Sequence, residues 1–245
     1  MARHEILNPE DHKNLRVQTA TGAAYGDNMM CTLAIPSEFR SLAGDYPVFF
    51  HRDAESGRVL PMVMFGFEEN ENLFLQGDRW EANYLPLLVQ KGPFLIGFQG
   101  PEDQPSQERM VITVDMDNPR VGMTEGEALF DTFGEATPFT QRVGDILAAI
   151  DEGQSQIDSL VAVLSQHDLL ESFTLDITLE DGSRNELHGF LTINEEKLAE
   201  LDGDTLAQMS RSGALQACYM VIASMSQVAR LIALKNARVN PGTAE

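Results

Sequence analysis

Apolar positions in the first half of the chain come in short runs that favour β-strands. Several runs are rich in β-branched and aromatic residues or alternate with polar residues, which suits strands with a buried face. Two of these runs flank the polar segment from Asp53 to Gly57, which is typical of a β-hairpin with a longer loop. The predicted strands cover 15–19, 30–35, 47–52, 59–67, 72–76, 94–99 and 109–115.

Patterns in the second half favour helices. Capping-box spacing beginning at Thr124 predicts a helix that Gly134 would end. Pro138 suits the first position of a second helix, and Ser155 suits the start of a third helix running toward Gln166. We therefore expect three separate helices between residues 124 and 166.

A β-hairpin interrupts these helices, and it has the most regular alternation in the sequence. Asp181-Gly182 supplies its turn, Asn194 then caps a short helix, and Gly213 separates that helix from a long C-terminal one. The apolar residues predicted to share one face are Phe173, Leu175, Ile177 and Leu179 on the first strand and Leu187, Gly189, Leu191 and Ile193 on the second.

The order of these elements predicts an α+β protein. It has a β-rich N-terminal half with antiparallel strands and a helical C-terminal half that carries one β-hairpin. We place a boundary near residue 120, between a β-rich aromatic region (1–120) and a helical region with the hairpin (121–245), with one continuous domain as the alternative. Residues 36–39 predict a short helical turn, and 101–107 a loop. Residues 80–90 fit either a helix broken by Pro86 or an extended segment.

The chain is strongly acidic, with a net charge of −21. Such a charge repels phosphates and anionic lipids, so we expect no nucleic-acid partner. The last part of the chain has a different balance of charge. After residue 204 it contains one acidic residue, Glu245, and four basic residues, Arg211, Arg230, Lys235 and Arg238. Two interpretations stay open: a buried helix with cations at its C-terminal end, or a basic helix docked on an acidic body in this chain or a partner.

Cys31 and Cys218 are far apart and form no stapling pattern, which favours a reducing compartment. The N-terminal residues are polar and show no secretory signal. Polar residues interrupt the most apolar window, from Ala214 to Leu234, so we expect a core helix and no transmembrane segment. Together these features predict a cytoplasmic protein.

Residues suited to catalysis form no recognised motif in this chain. His51 and Asp53 have the spacing that begins a two-histidine, one-carboxylate metal site, with His167 or His188 as the second histidine. An acid two residues after a histidine is expected about 0.8 times by chance in this composition. We therefore predict no cofactor and no metal, and keep His51, Asp53 and His188 only as an alternative.

Aromatic residues crowd the stretch between residues 46 and 99. Core packing is the first explanation, because aromatic side chains dominate protein interiors. They also dominate binding hot spots, and Trp80 and Tyr84 would share one face if residues 80–84 were helical. As candidate binding residues for a protein or peptide partner we therefore take Trp80, Tyr84, Phe94 and Tyr46.

Apolar and aromatic motifs recur from about Leu15 to Asn236. They are YPVFFHRD at 46–53, ENLFL at 71–75, Trp80 with YLP at 84–86, PFLIG at 93–97, HGF at 188–190, INEEKL at 193–198 and SMSQ at 224–227. Together they resemble the bacterial SapC family. The resemblance implies a part in surface-layer formation or export, since the family is named for a surface-layer locus. Its members also lie beside genes for halogenase-like, cupin-like and outer-membrane receptor proteins. The resemblance implies no catalytic residues.

Three hypotheses follow. The first is a non-enzymatic binding or assembly protein that serves a surface-layer, envelope or uptake system from the cytoplasmic side. The second is a metal-dependent enzyme that uses His51, Asp53 and a later histidine. The third is a homo-oligomeric scaffold that pairs through the helix between Leu215 and Leu234, whose small residues permit close packing.

Overall fold

Strands and helices are segregated along the chain. The computed structural model describes residues 3–100 and 109–239. Its antiparallel sheets lie mostly in the N-terminal half and its helices mostly in the C-terminal region, which confirms the predicted α+β class. The predicted loop at 101–107 lies outside the described residues. The α-helices are α1 (Pro9–His12), α2 (Phe39–Leu42), α3 (Leu87–Gln90), α4 (Pro138–Gln166), α5 (Glu195–Ala199), α6 (Gly203–Ser212), α7 (Ala214–Ser224) and α8 (Gln227–Val239).

The strands agree with most of the apolar runs but are shorter at their ends. Short 3-10 turns occur at Ala23–Tyr25 and Pro36–Glu38, the second leading into α2 as the sequence predicts. The strands are β1 (His4–Ile6), β2 (Arg16–Val17), β3 (Cys31–Leu33), β4 (Val48–Arg52), β5 (Val59–Met64), β6 (Leu75–Gln76), β7 (Arg79–Trp80), β8 (Phe94–Gln99), β9 (Arg109–Asp115), β10 (Val121–Gly122), β11 (Glu127–Ala128), β12 (Leu170–Thr178) and β13 (Arg184–Ile193).

Interleaved segments form two units. The first unit comprises Met1–Asp27, Gly77–Arg79 and Leu87–Glu152. The second unit comprises Asn28–Gln76, Trp80–Pro86 and Gly153–Glu245. The long helix α4 begins in the first unit and ends in the second, and residue 120 lies inside the first unit.

The first unit is built on two small antiparallel sheets, ordered β1-β9-β8 and β10-β2-β11. Its buried core consists of Leu15, Val17, Phe94, Val114, Leu129, Val143 and Leu147. Arg120 and Asp27 form a buried ion pair, with Nη2 at 2.8 and 2.6 Å from the two carboxylate oxygens. The Arg120 guanidinium also lies 4.7 Å from the centre of the Tyr25 ring. This pair satisfies the rule that buried charges need a close partner.

The second unit contains a five-stranded antiparallel sheet ordered β12-β13-β4-β5-β3. The predicted hairpin around Asp53–Gly57 is confirmed, because β4 pairs with β5 from Val48↔Val63 to Arg52↔Val59. The hairpin with its turn at Asp181-Gly182 is confirmed as well. Helix α7 is anchored to this sheet, since the Val48 amide donates to Ser224 Oγ at 2.9 Å.

The predicted facing of the hairpin is wrong beyond Leu187. Phe173 pairs with Phe190 and Leu175 with Leu187, so β13 has one more residue than β12 between these pairs. Gly189, with a φ of 82°, lies in this bulge. The extra residue changes the alternation, so that Phe190, and not Gly189 or Leu191, joins Leu187 on the face of Phe173 and Leu175.

The predicted helix between Thr124 and Gly134 is also wrong. Gly126 has a φ of 101°, which a right-handed helix does not permit. A side chain at this position would approach the Val17 carbonyl oxygen to 2.4 Å, because the segment packs against β2. The neighbouring Glu127 pairs with Val17 as part of β11, so sheet pairing overrides the local capping pattern.

The two helices predicted after Pro138 are one continuous helix of 29 residues. Its buried residues recur at helical spacing, and Gly153 takes a place in that series where an apolar residue would be expected. The series is Val143, Leu147, Ile150, Gly153, Ile157, Leu160 and Leu164. The prediction of a separate third helix starting at Ser155 is therefore wrong.

The long C-terminal helix is divided between α7 and α8. Ser224 and Ser226 donate their hydroxyls to the carbonyls of Val221 and Ala223, at 2.6 and 2.9 Å. Such side-chain bonds compete with the helical pattern and favour an interruption. By length and composition, Ala214–Val239 also meets the criteria for a membrane-crossing helix. Core helices of soluble proteins meet the same criteria, so the finding is weak evidence for a span.

Candidate functional site

Three of the four aromatic residues proposed for binding come together in the second unit. The Trp80 indole donates to Tyr46 Oη at 2.7 Å, and Tyr46 Oη donates to the Tyr84 carbonyl at 2.5 Å. Tyr46 is fully buried, whereas Trp80 and Tyr84 are half-buried. Residues 81–86 form no helix, so Trp80 and Tyr84 meet through Tyr46. Phe94 lies in the core of the first unit.

An ionic network surrounds this aromatic group. The buried Asp45 carboxylate accepts hydrogen bonds from the Asn83 amide and side chain and from the Tyr84 amide, at 2.9 to 3.0 Å. Arg230 of α8 donates to the same carboxylate at 2.9 Å. Tyr84 Oη donates to the buried carboxylate of Glu38 at 2.9 Å. Each of these polar groups is thus engaged in holding a neighbouring segment in place.

The two tyrosines of this network stay protonated at neutral pH. Burial raises the pKa of Tyr46 well above its usual range. Burial also raises the pKa of Tyr84, and the negative charge of Glu38 raises it further. Neither group is suited to proton transfer near neutrality, because a catalytic pKa lies near the working pH.

Three of the four cations after residue 204, Arg230, Lys235 and Arg238, bind acidic or carbonyl groups of the same chain. Lys235 Nζ lies 2.8 Å from Glu68 and 2.5 Å from Glu71. Burial alone would lower the pKa of Lys235, but the hydrogen bonds and charges of these two glutamates raise it overall. Arg238 donates to the carbonyls of residues 72 and 75. Helix α8 is therefore docked on acidic groups of the second unit, which is the second of the two interpretations offered above.

The candidate metal ligands are not assembled into a ligand set. His51 is half-buried beside Phe190, and its Nδ1 is buried without a hydrogen-bond partner. Asp53 is bonded to Ser56, whose side-chain and backbone hydrogen bonds lower the Asp53 pKa. His188 is exposed and lies 3.2 Å from Glu186. Within residues 3–100 and 109–239, no group of three or more His, Cys, Asp or Glu side chains is arranged to hold a metal.

The two thiols are free and are not activated. Burial raises the pKa of Cys31, and it raises the pKa of Cys218 to about 11. A nucleophilic cysteine needs a lowered pKa, so both thiols fit a structural role better.

An open groove of about 470 Å³ is the feature of the second unit best suited to a ligand. It lies between the Pro36–Phe39 turn, the second half of α4 and the α6–α7 junction. Its polar lining consists of Ser37, Ser155, Gln156, Ser159, Ser212 and Gln216. Its remaining lining consists of Pro36, Phe39, Leu160, Val163, Gly213, Ala214, Ala217 and Met220.

The groove lining contains no charged residue. Charged residues make up 22% of the chain and concentrate at surfaces, so about three of the fourteen lining positions would be charged at random. The groove therefore combines an apolar floor with hydroxyl and carboxamide groups that both donate and accept hydrogen bonds.

Two close contacts position the walls of this groove. Gly153 lets α4 approach the turn that precedes α2, because a side chain there would lie 2.5 Å from Ile35 Cγ2. Ser224 fixes α7 to β4 through the bond to the Val48 amide. Gly213, with a φ of 81°, ends α6 and allows α7 to begin at once.

Sequence reasoning missed this groove, although a pattern for it exists. Residues 155, 156, 159, 160 and 163 of α4 line the groove, and residues 212, 213, 216, 217 and 220 do so with the same spacing. Both sets are uncharged and fall at i, i+1, i+4, i+5 and i+8; the first lies on one face of α4, and the second begins at the α6–α7 junction and continues on α7. Two matching uncharged stripes in so acidic a chain are the pattern that would have indicated it.

The fold and the groove define an α+β protein whose second unit has an uncharged ligand-sized groove. The chain belongs to the SapC family, whose family model matches residues 7–231. This match confirms the family resemblance described above. No curated protein and no solved structure matches the chain significantly.

Proposed function

We propose that this SapC-family protein is a non-catalytic binding protein whose groove holds an uncharged peptide segment of a partner protein. The uncharged lining of the groove is the observation that carries the proposal. In a chain of net charge −21, an anionic ligand would be repelled by the surrounding field, and a cationic ligand would be met by carboxylates, which the groove lining does not contain.

The chemistry of the lining favours a peptide. Serine hydroxyls and glutamine carboxamides pair well with backbone N–H and C=O groups, which are donors and acceptors without net charge. The floor around Leu160, Ala217 and Met220 offers apolar contact for one or two side chains. A volume of about 470 Å³ lies within the range of small-ligand pockets and therefore suits a short segment better than a whole protein surface.

We place this binding function in the cytoplasm, as a part of surface-layer, envelope or uptake assembly. Membership of the SapC family supports this setting. The two free thiols, whose pKa values are raised by burial, are consistent with it. Pairing of two copies through the helix between Leu215 and Leu234 stays a prediction, which light scattering across a concentration series would test.

A phage-displayed library of random peptides tests the proposal. We expect wild-type protein to enrich peptides with apolar and uncharged polar residues. Ser159→Trp, at an exposed position of the groove wall, should weaken their binding about tenfold or more by filling the space.

Ser165→Trp is the matched control, because Ser165 is also an exposed serine of α4 but does not line the groove. This variant should bind the selected peptides as the wild type does. Enrichment of only Lys- or Arg-rich peptides, or equal binding by both tryptophan variants, would contradict the groove as the binding site.

A further inference from the structure

Strand β12 forms one outer edge of the five-stranded sheet of the second unit. It is nine residues long, and it pairs on its inner side with β13. Among residues 3–100 and 109–239, no strand pairs with its outer side. An outer strand of this length presents a row of backbone N–H and C=O groups that can pair with another chain.

The alternating burial of side chains along β12 shows that one face of this strand is exposed to solvent. Ser172, Thr174, Asp176 and Thr178 are exposed, whereas Leu175 and Ile177 are buried. The exposed side chains stand on the face of the sheet, whereas an added strand would lie beside the backbone of β12 at the usual spacing of about 4.8 Å. The long edge is thus unpaired within the described residues, and polar side chains lie on its exposed face.

Proteins usually protect such an edge, and β12 lacks most of the usual devices. It contains neither lysine nor proline, and the bulge of this hairpin lies in β13 on the inner side. Its protection consists of acidic residues alone. Acidic residues discourage acidic partners and leave basic ones free to approach.

The charge around the edge is strongly one-sided. Residues 168–187 contain six acids and one base, Arg184, a net charge of −5. The acids are Asp168, Glu171, Asp176, Glu180, Asp181 and Glu186. Lys197 pairs with Asp168, and the other acids of this set have no lysine or arginine partner among the described residues. A second copy of the chain would bring another such hairpin to the edge and be repelled.

We propose that the outer edge of β12 binds an extended, basic peptide segment as an additional antiparallel or parallel strand. Backbone hydrogen bonds would supply the affinity, and lysine or arginine side chains facing Asp176 and its neighbours would supply the preference. This site is separate from the groove in its residues, and the proposal does not depend on the groove.

Alternate N-methylation of a peptide provides the sharpest test. The probe is a nine-residue peptide of alternating lysine and threonine, measured by calorimetry on the whole protein at low salt. In a paired strand only every second amide points toward its neighbour. We expect one alternate set of N-methyl groups to weaken binding about tenfold and the other set to weaken it far less.

Binding of both N-methylated peptides as tightly as the parent would show simple charge attraction and overturn the proposal. No measurable binding of the parent peptide at about 1 mM would overturn it as well. Amide hydrogen exchange gives an independent readout, since every second amide between Ser172 and Thr178, the set that does not face β13, should become protected when the parent peptide is bound.

Charge reversal at the edge supplies the matched protein variants. Asp176→Lys should weaken the lysine–threonine peptide about threefold, because a close surface charge is lost and reversed. Asp145→Lys makes the same change at an exposed position of α4 and should have a smaller effect. Equal weakening by both variants would mean that only net charge matters and would contradict the proposal. Ser159→Trp should leave this binding unchanged, which separates the edge from the groove.

Discussion

Two regions of the second unit use their polar side chains in opposite ways. Around Asp45, carboxylate, guanidinium, indole and phenol groups bond to one another and to backbone groups, and the cluster is largely buried. Around the groove, the polar side chains of the lining carry only hydroxyl and carboxamide groups. The region with ionisable side chains therefore stabilises the fold, whereas the region lined by uncharged side chains is open to a ligand.

This contrast predicts that Asp45→Ala is the most damaging of the changes considered. The substitution removes the acceptor for four part-buried hydrogen bonds, from Asn83, Tyr84 and Arg230, and leaves their donors without this partner. We expect a loss of about 3 kcal/mol in the free energy of unfolding. Urea denaturation measures it, with exposed Asp204→Ala as a control near zero. A loss below about 1 kcal/mol would remove the structural role assigned to this network.

The wall of the groove is tested by two glycines of the same helix. Gly153→Ala should destabilise the protein by about 1–3 kcal/mol, since the new methyl group meets Ile35 Cγ2 at 2.5 Å. Gly144→Ala should instead stabilise it by about 0.5–1 kcal/mol, because its nearest neighbour would lie at 3.8 Å and alanine favours a helix. Thermal unfolding of both variants measures these changes in stability. Changes of the same sign in both variants would contradict the close approach of α4 to Ile35.

A smaller effect is expected at Ser224, which ties helix α7 to the sheet. Ser224→Ala leaves the buried Val48 amide without its acceptor and should cost about 1–2 kcal/mol. Ser226→Ala, two residues away and exposed, should change stability by less than about 0.5 kcal/mol. If the two alanine variants unfold at the same urea concentration, the Val48 bond does not position α7.

The smallest effect at neutral pH comes from the two tyrosines. Their raised pKa values mean that the folded state keeps protons which the unfolded chain releases above about pH 10. Stability should therefore be unaffected at neutral pH and decline as the pH rises above 10. Ultraviolet titration should show that these two phenols ionise only with unfolding. Tyr46→Phe and Tyr84→Phe identify their share of the signal.

Local patterns predicted the strands and the hairpins well, because alternation and turn residues act over a few positions. They failed where a distant contact decides. Gly126 packs against the backbone of β2 with a φ of 101°, and a glycine is needed at position 153 of α4 because Ile35 lies against it. No residue near Gly126 or Gly153 in the sequence indicates that β2 or Ile35 will pack against it.

The candidate site shows the same limit in a different form. Tyr46, Trp80 and Tyr84 were predicted as binding residues together with Phe94, and the structure places these three side by side with their polar atoms bonded within the second unit, whereas Phe94 lies in the core of the first unit. The groove was not predicted, because single serine, alanine and glutamine residues do not indicate a binding site. Its two matching helical stripes become meaningful only when the helices are known to face one another across a gap.

The bulge at Gly189 has a consequence for how β13 tolerates change. The extra residue in the bulge changes the alternation of β13. Leu187 before the bulge and Phe190 after it lie on the same face, although two residues separate them. Deleting that glycine would remove the bulge and leave one residue between Leu187 and Phe190, so both would still lie on the same face. Deletion of Gly189 should consequently be better tolerated than deletion of another residue of β13, which would turn the residues on one side of the deletion to the opposite face.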